Sequence, residues 1–413
     1  MAYYVQKYTL ENGLTVLMVP QHTVPKVSMQ LWYDVGAKDE TSGKRGAAHF
    51  IEHMIFKGTQ SLSESDINKI VYKLSGSCNA FTSHDYTGYL FEMPSQHWHK
   101  VLPIMADCMQ YCTFDPEQLS SEVRAILQEV RLYRDDYTTT ALEYLTQSIF
   151  IDHPYHHPII GYRDDLLRLD QESIKQFYKN FYMPNNATLV VVGDITPEDA
   201  IQQVEASFGQ IPRGVPAHDR TWSHQQDITS RSITLYRDVQ QPMVMLTWEV
   251  PGFKEQQSYL WDILSWILGA GKGSRLYKRL MTERDLVTDI QTFVYDLFEH
   301  GQFVVYFQPR DLDQVATISN IILEEIDACR QGSITEQEIE RAKRKTKMDF
   351  VSVFEDFERH AYLLGKFYLA TGDEHALYRY TQFTGDIREH VQSLANGYLR
   401  SSVMNTAQVL PIP

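Results

Sequence analysis

The stretch HFIEH at positions 49–53 places two histidines four residues apart, with a glutamate directly before the second. From Ala47 to Phe56 the apolar residues fall at 47, 50, 51, 54 and 55, the spacing of a buried helix face. His49, Glu52, His53 and Phe56 take the other side. Residues three and four apart are neighbours on a helix surface, so both imidazoles and the carboxylate project into one small volume. Two nitrogens so arranged suit a zinc ion, whose bonds to imidazole are about 2 Å long. Glu52 then lies beside the metal, where a general base for an activated water belongs. Two histidines under-hold a catalytic zinc, so a third ligand must come from elsewhere in the chain. On these residues alone, a surface helix with a Glu–His contact remains open.

A second helix is legible at 116–135, PEQLSSEVRAILQEVRLYRD, with Leu119, Val123, Ile126, Leu127 and Val130 as its apolar stripe. Glu122 and Glu129, two turns apart, fall at one edge of that stripe, from which a carboxylate can look into the interior. The competing reading, which these residues alone favour, pairs them with Arg124, Arg131 or Arg134 on a solvated surface.

The elements that must position these groups occur twice. PKVSMQLWYDVGAKDE (25–40) is echoed by QPMVMLTWEVPGFKE (241–255) at an offset of 216, which sets Trp32 against Trp248 and Gly36 against Gly252. Each copy is an alternating, β-rich run that ends in a polar turn and leads into a helical stretch. Similarity at half the chain length predicts two homologous domains, 1–215 and 231–413, joined by a polar, proline-bearing linker at 216–230. NATLVVVGDITPEDAIQQVEASFGQI (186–211) reads as a buried strand, a turn and a helix that Asp194 or Thr196 can cap. Hairpin-like runs outnumber β-α-β alternation, so each domain is expected to be α+β, a mainly antiparallel sheet with helices packed on it.

With 413 residues, 43% of them hydrophobic, the chain is long enough for two domains of ordinary size. The net charge of −15 and the lack of a basic cluster argue against nucleic acid, and favour neutral or basic substrates in any interior cavity. The densest basic run, RAKRKTKMDF (341–350), reads as a solvated helix face. Cys108 and Cys112, in an apolar helical stretch, read as core residues, and four cysteines are too few for a disulfide scaffold. No apolar run is long enough to span a membrane, and MAYYVQKYTLENG lacks the apolar region of an export signal. A cytoplasmic location is therefore expected, or a periplasmic one if a signal has been removed.

GAAHFIEHMIFKGT, followed by Glu129 in SEVRAILQEVR, resembles the inverted-zincin peptidases of the pitrilysin/insulysin family, M16, whose mark is H-x-x-E-H. The likeness is strongest to the branch of half-length chains related to the mitochondrial processing peptidase. SCNAFTSHDYTGYLFEM (77–93), HPYHHPIIGYRDDLLRL (153–169), FYMPNNATLVVVGD (181–194) and GAGKGSRLYKRL in the second half resemble later motifs of the family. The resemblance implies one zinc per chain on His49, His53 and Glu129, with Glu52 as the base and Glu122 supporting the metal site from behind. It implies an extended substrate, a peptide or unfolded segment, along the strand around Asn79, Ala80 and Phe81. HPYHHP becomes a loop rather than a metal site. Two domains of like topology would form half of a clam-like chamber. Only the first would carry metal, since Ser265 and Gly269 stand where the histidines would be.

One departure matters. The arginine and tyrosine that the family's zinc-free domain supplies after the S-R-L helix align with Met281 and Thr288. The chain thus resembles a zinc-bearing half that needs a zinc-free partner, whether a second subunit or a C-terminal continuation past AQVLPIP. Alone it could form a homodimer lacking those donors. The expected function is that of a zinc metalloendopeptidase, and the alternative is a non-catalytic structural or peptide-binding subunit of the same fold.

Overall fold

The computed structural model describes residues 4–215, 222, 224, 229–253 and 257–412. They group into two compact units: Met1–Val130 with His157–Trp222 and Ser352–Tyr378, and Arg131–His156 with Ser223–Val351 and Arg379–Pro413. Most of the expected linker, 216–221, 223 and 225–228, lies outside the described residues, as do Lys254 and Glu255 of the internal echo.

The first unit is built on six strands: β1 (Gln6–Thr9), β2 (Thr15–Pro20), β3 (Lys26–Tyr33), β4 (Ser77–Thr82), β5 (Thr87–Pro94) and β6 (Ala187–Gly193). Their spatial order is β1-β2-β6-β3-β5-β4. Only β2 and β6 run parallel. The second unit has β7 (Ser232–Arg237), β8 (Met243–Pro251), β9 (Val287–Asp296), β10 (His300–Pro309) and β11 (Asn405–Pro411), in the order β7-β11-β8-β10-β9. Here only β7 and β11 are parallel. Laid against each other, β2-β6-β3-β5-β4 and β7-β11-β8-β10-β9 are the same topology, with the parallel pair in the same place. The sequence echo is therefore a structural repeat, and Trp32 on β3 and Trp248 on β8 are both fully buried.

The alternation read in β3 does not become one wet and one dry face: every residue from Val27 to Tyr33 is buried. Val27, Met29, Leu31 and Tyr33 enter the first core together with Phe50, Ile51 and Met54 of the helix Ala47–Met54. The opposite face is covered by the helix Phe357–Thr371. Gln30 donates to the Glu358 carbonyl at 2.8 Å, and the Trp32 ring packs beside Tyr362. That helix lies so close that a Cβ on Gly365 would be 2.4 Å from the Trp32 ring. In the second unit the helix Tyr137–Ile149 does the same, with Ala141 and Leu145 against Met243, Met245, Val304, Ala407 and Val409. Each sequence half thus sends one helical segment to the sheet of the other, a departure from the contiguous split 1–215, 216–230 and 231–413. A sheet apolar on both faces must be covered twice, and nothing local in sequence says which helix covers it.

Smaller expectations divide. Cys108 is buried, the Cys112 thiol donates to the Cys108 and Ile55 carbonyls, and all four cysteines are free. The strand at 187–193 and the helix Pro197–Phe208 are as read, but Thr196 makes no side-chain cap and Asp194 binds His22. The 341–350 run lies on the helix Glu336–Val353, with Ala342 and Thr346 turned inward. No helix among the described residues is long and apolar enough to cross a membrane.

Candidate metal centre

The HFIEH helix is Ala47–Met54, and its start is fixed from outside. Gly46 has φ +92°, and a Cβ there would meet the Ile160 carbonyl at 2.8 Å. The Glu40 carboxylate accepts from the Gly46 and Ala48 N–H groups at 2.6 and 2.8 Å. It satisfies the free donors of the first turn, where a negative group is favoured. Complete burial nonetheless pushes the Glu40 carboxyl up to about 8, against the pull of those two N–H groups. Nothing in the local pattern flags Glu40, because it caps the helix from outside the usual capping position.

On this helix the His49 and His53 rings lie 4.6 Å apart between centroids. The helix Pro116–Asp135 brings Glu129 to both: its carboxylate oxygens are 3.8 Å from His49 Nε2 and 3.3 Å from His53 Nε2. One donor atom from each of the three residues fits within 4.8 Å of the other two. Glu122 accepts from His53 Nδ1 at 2.8 Å, and its other oxygen is 3.3 Å from Lys57 Nζ. The surface pairing of Glu122 and Glu129 with Arg124, Arg131 or Arg134, favoured by local residues alone, is therefore not what forms. Those arginines are exposed while the carboxylates look inward. Glu52 accepts a hydrogen bond from the Thr82 hydroxyl at 2.6 Å. Thr82 and Lys57 were missed by sequence reasoning. Only a strand register placing 82 beside the helix would have pointed to the first.

The electrostatics suit a cation. Burial, and then the neighbouring His53, push His49 down to about 3, so its imidazole stays neutral and able to ligate. Its Nδ1 is buried without a hydrogen-bond partner. Burial works to lower His53 as well, but the Glu122 bond and the Glu129 charge raise it on balance. A carboxylate can only accept, so Glu122 fixes the proton on Nδ1 and turns the Nε2 lone pair towards Glu129. Two ring nitrogens and a carboxylate facing one another is an arrangement a positive charge relieves. Burial raises the Glu52 carboxyl, with Thr82 opposing.

Asn79, Ala80 and Phe81 lie on β4, which ends the sheet; among the described residues it is paired only with β5. The Phe81 ring is committed to the fold, edge-on to Trp32 at 4.9 Å and over Gly88. What β4 offers outward is therefore backbone, with the exposed side chains of Ser77 and Asn79. In the second unit, Met281 packs against the core and Thr288 accepts from Gln241. Arg279 is engaged by Glu324 and Glu325. Ser265, at the position matching His49, bonds the Thr292 carbonyl at 2.6 Å.

Comparison with known proteins identifies the family. Residues 15–163 match the model for insulinase (peptidase family M16), and 168–346 match the peptidase M16 inactive domain. This chain belongs to peptidase family M16. It is a half-length M16 protein, 28% identical over 415 residues to the zinc protease PqqE of Helicobacter pylori, covering 98% of this chain and 93% of that one. It is 25% identical over 343 residues to the uncharacterized zinc protease YmxG of Bacillus subtilis, covering 83% of each. A protease structure from H. pylori superposes over 100% of both chains with TM-score 0.91 at 26% identity. The periplasmic protease PqqL of Escherichia coli shares the fold at TM-score 0.81 and 20% identity, with 99% of this chain covering 48% of that one. The inactive-domain match begins at 168, ahead of β6, which belongs to the sheet of the first unit. The M16 sequence boundary and the structural one therefore differ.

Proposed function

We propose that this M16 chain is a zinc-dependent endopeptidase that cleaves peptides or unfolded protein segments. The observation that carries the reading is Glu52, a half-buried carboxylate of raised pKa, beside a complete donor set of His49, His53 and Glu129. Two imidazoles and one carboxylate are the donor chemistry of a catalytic zinc site with one position open. Their fit rests on the neutral His49 ring and on the Glu122 bond that orients His53. The names of the relatives as zinc proteases support the same choice of metal. A zinc ion held by His49, His53 and Glu129 would supply Lewis acidity and lower the pKa of a water beside Glu52.

The residues of the chain do the rest. Glu52 takes a proton from water and returns it to the leaving amine, and burial raises its affinity for that proton. Thr82 holds Glu52 from the end of β4. The open edge of β4 pairs with an extended substrate by main-chain hydrogen bonds, so one strand orients both base and substrate. Such pairing requires a free segment of chain. The Met281 side chain has no polar hydrogen and the Thr288 hydroxyl is engaged with Gln241 and Gln308, so neither replaces an arginine or a tyrosine at a developing oxyanion, which supports dependence on a zinc-free homologous half. Self-association of the isolated chain would not restore those donors.

The test is a quenched peptide assayed with this chain alone and with a zinc-free M16 half, each beside Glu52→Gln. Turnover that appears with the partner and vanishes in the variant supports the proposal. Zinc binding without turnover in either assembly would instead favour a peptide-binding or structural subunit.

A further inference from the structure

The second unit gathers another set of metal-ligating side chains, sharing no residue with the centre above. Glu249 on β8 stands opposite Gln302 of β10. His300, two residues earlier on β10, is therefore its diagonal neighbour on the same face. That face is the one the helix Tyr137–Ile149 covers through Met245 and Val304, so the polar pair is carried inward. Their side chains are 10% and 26% exposed. His224, 3% exposed, reaches them from the chain ahead of β7. Its Nε2 is 3.1 Å from Glu249 Oε1, and His300 Nδ1 is 3.3 Å from the same oxygen. The three donor atoms lie within 4.8 Å of one another. The buried Phe150 ring stands 5.4 Å from that of His224 and 5.7 Å from that of His300.

We propose that His224, Glu249 and His300 form a second divalent-cation site, of the zinc class, which ties His224 to the β8–β10 sheet. Imidazole, imidazole and carboxylate select zinc, cobalt or nickel over magnesium or calcium, which prefer oxygen alone. Bonds of about 2.0–2.1 Å in tetrahedral geometry set ligand atoms roughly 3.3 Å apart, close to the two separations observed. Both imidazoles converge on Oε1, while Oε2 is buried with no hydrogen-bond partner. A hydrogen-bonded trio leaves that oxygen unsatisfied, whereas a cation binds it directly. His153 is not a fourth ligand. Its Nε2 is 3.2 Å from Glu299, its Nδ1 accepts from the Tyr155 N–H, and its ring stands 5.2 Å from that of His300. The HPYHHP run therefore contributes a wall to this site and no donor. The wall of aromatic rings keeps water away and strengthens binding.

The experiment is metal analysis of the full chain after equilibration with zinc and dialysis. The double variant His49→Ala/His53→Ala should keep about one zinc per chain, and adding His300→Ala should remove it. Glu249→Gln in the double-variant background, a near-isosteric change, should weaken zinc by more than the roughly 10–100-fold typical of groups one step behind the ligands. Cobalt added to the double variant should give the visible ligand-field bands of a low-coordinate site, and circular dichroism should show all variants folded. A folded double variant that retains no zinc and gives no cobalt spectrum overturns the proposal. So does retention that is indifferent to both Glu249→Gln and His300→Ala. Wild-type loss of one zinc in the His300→Ala single variant is read separately from the His49/His53 centre, so failure of either site leaves the other testable.

Discussion

Replacing Glu122 with glutamine should weaken zinc binding without removing a ligand. In the wild type the carboxylate accepts from His53 Nδ1 at 2.8 Å and lies 3.3 Å from Lys57, with its side chain only 12% exposed. The His53 bond, first among the causes, holds the Glu122 carboxyl below its ordinary value, which marks it as an ionised acceptor. A hydrogen bond to a charged group contributes about 1.5–3 kcal/mol, against about 0.5–1.5 kcal/mol for a neutral one. Glutamine can still accept at the same distance, so the change costs the difference, roughly 1–2 kcal/mol. That corresponds to a zinc dissociation constant about 5- to 30-fold higher, overlapping the lower part of the roughly 10–100-fold range usual for groups supporting a ligand histidine. The amide also leaves Lys57 with Glu64 alone. The assay is competition against a chelator of known affinity, run on the His300→Ala background so that one site is read. A dissociation constant within twofold of the parent would show that Glu122 does not set the His53 tautomer. A total loss would mean that it does more than orient the ring.

Glu129→Gln should lose most of the zinc of the first centre, and full occupancy by metal analysis would move the third ligand elsewhere. Glu52→Gln should retain zinc yet lose hydrolysis in the active assembly, since an amide cannot accept the proton; wild-type cleavage of a quenched peptide would remove Glu52 from its role. The chain alone should be slow, because each missing oxyanion donor costs roughly 3–4 kcal/mol; robust turnover by the isolated chain, abolished by Glu52→Gln, would place the donors within it. Glu338→Gln should destabilise the chain by about 2–3 kcal/mol near neutral pH. Burial alone would raise the Glu338 carboxyl, but Arg275, bonded at 2.6 Å, and Thr335 hold it down at about 2. A depressed carboxyl stabilises the fold above its ordinary value of 4.5, and that contribution fades as pH falls through about 2. Denaturant unfolding should therefore show the gap between wild type and variant closing across that window. A constant gap would assign the effect to packing.

The paired histidines, Glu52 and the two strands around Trp32 and Trp248 were legible because helical and strand periodicities are local. In the helical pattern Glu122 and Glu129 were visible only as edge positions, where composition favoured arginine partners over an inward turn, and it was the family resemblance that assigned them to a metal site. What decides between the two readings is the approach of a second helix, a tertiary fact. The same limit hid the exchanged segments. Nothing in Phe357–Thr371 states that it covers β3, although Gly365 is small because Trp32 lies against it. It also hid Glu249 and His300, neighbours only through the register of β8 and β10. His224 comes from a run that reads as plain linker.

The two copies of the domain show why one topology presents a helix with paired histidines only once. In the first, the helix Ala47–Met54 lies beside β4 through a polar contact, Thr82 to Glu52, and a separate helix lowers Glu129 towards the histidines. In the second, the matching helix Ser258–Leu268 closes directly onto the matching strand β9. The Ser265 hydroxyl bonds the Thr292 carbonyl, and a Cβ on Gly269 would stand 2.5 Å from the Thr292 methyl. The small residues at the two histidine positions are what that close approach requires, since an imidazole at 269 would force helix and strand apart. Apolar burial is the result, with Ile263, Leu264, Ile267 and Leu268 all fully buried. One copy thus lines the helix–strand junction with polar groups and the other with close packing. The M16 fold tolerates both because the sheet order, rather than the contents of that junction, sets its topology.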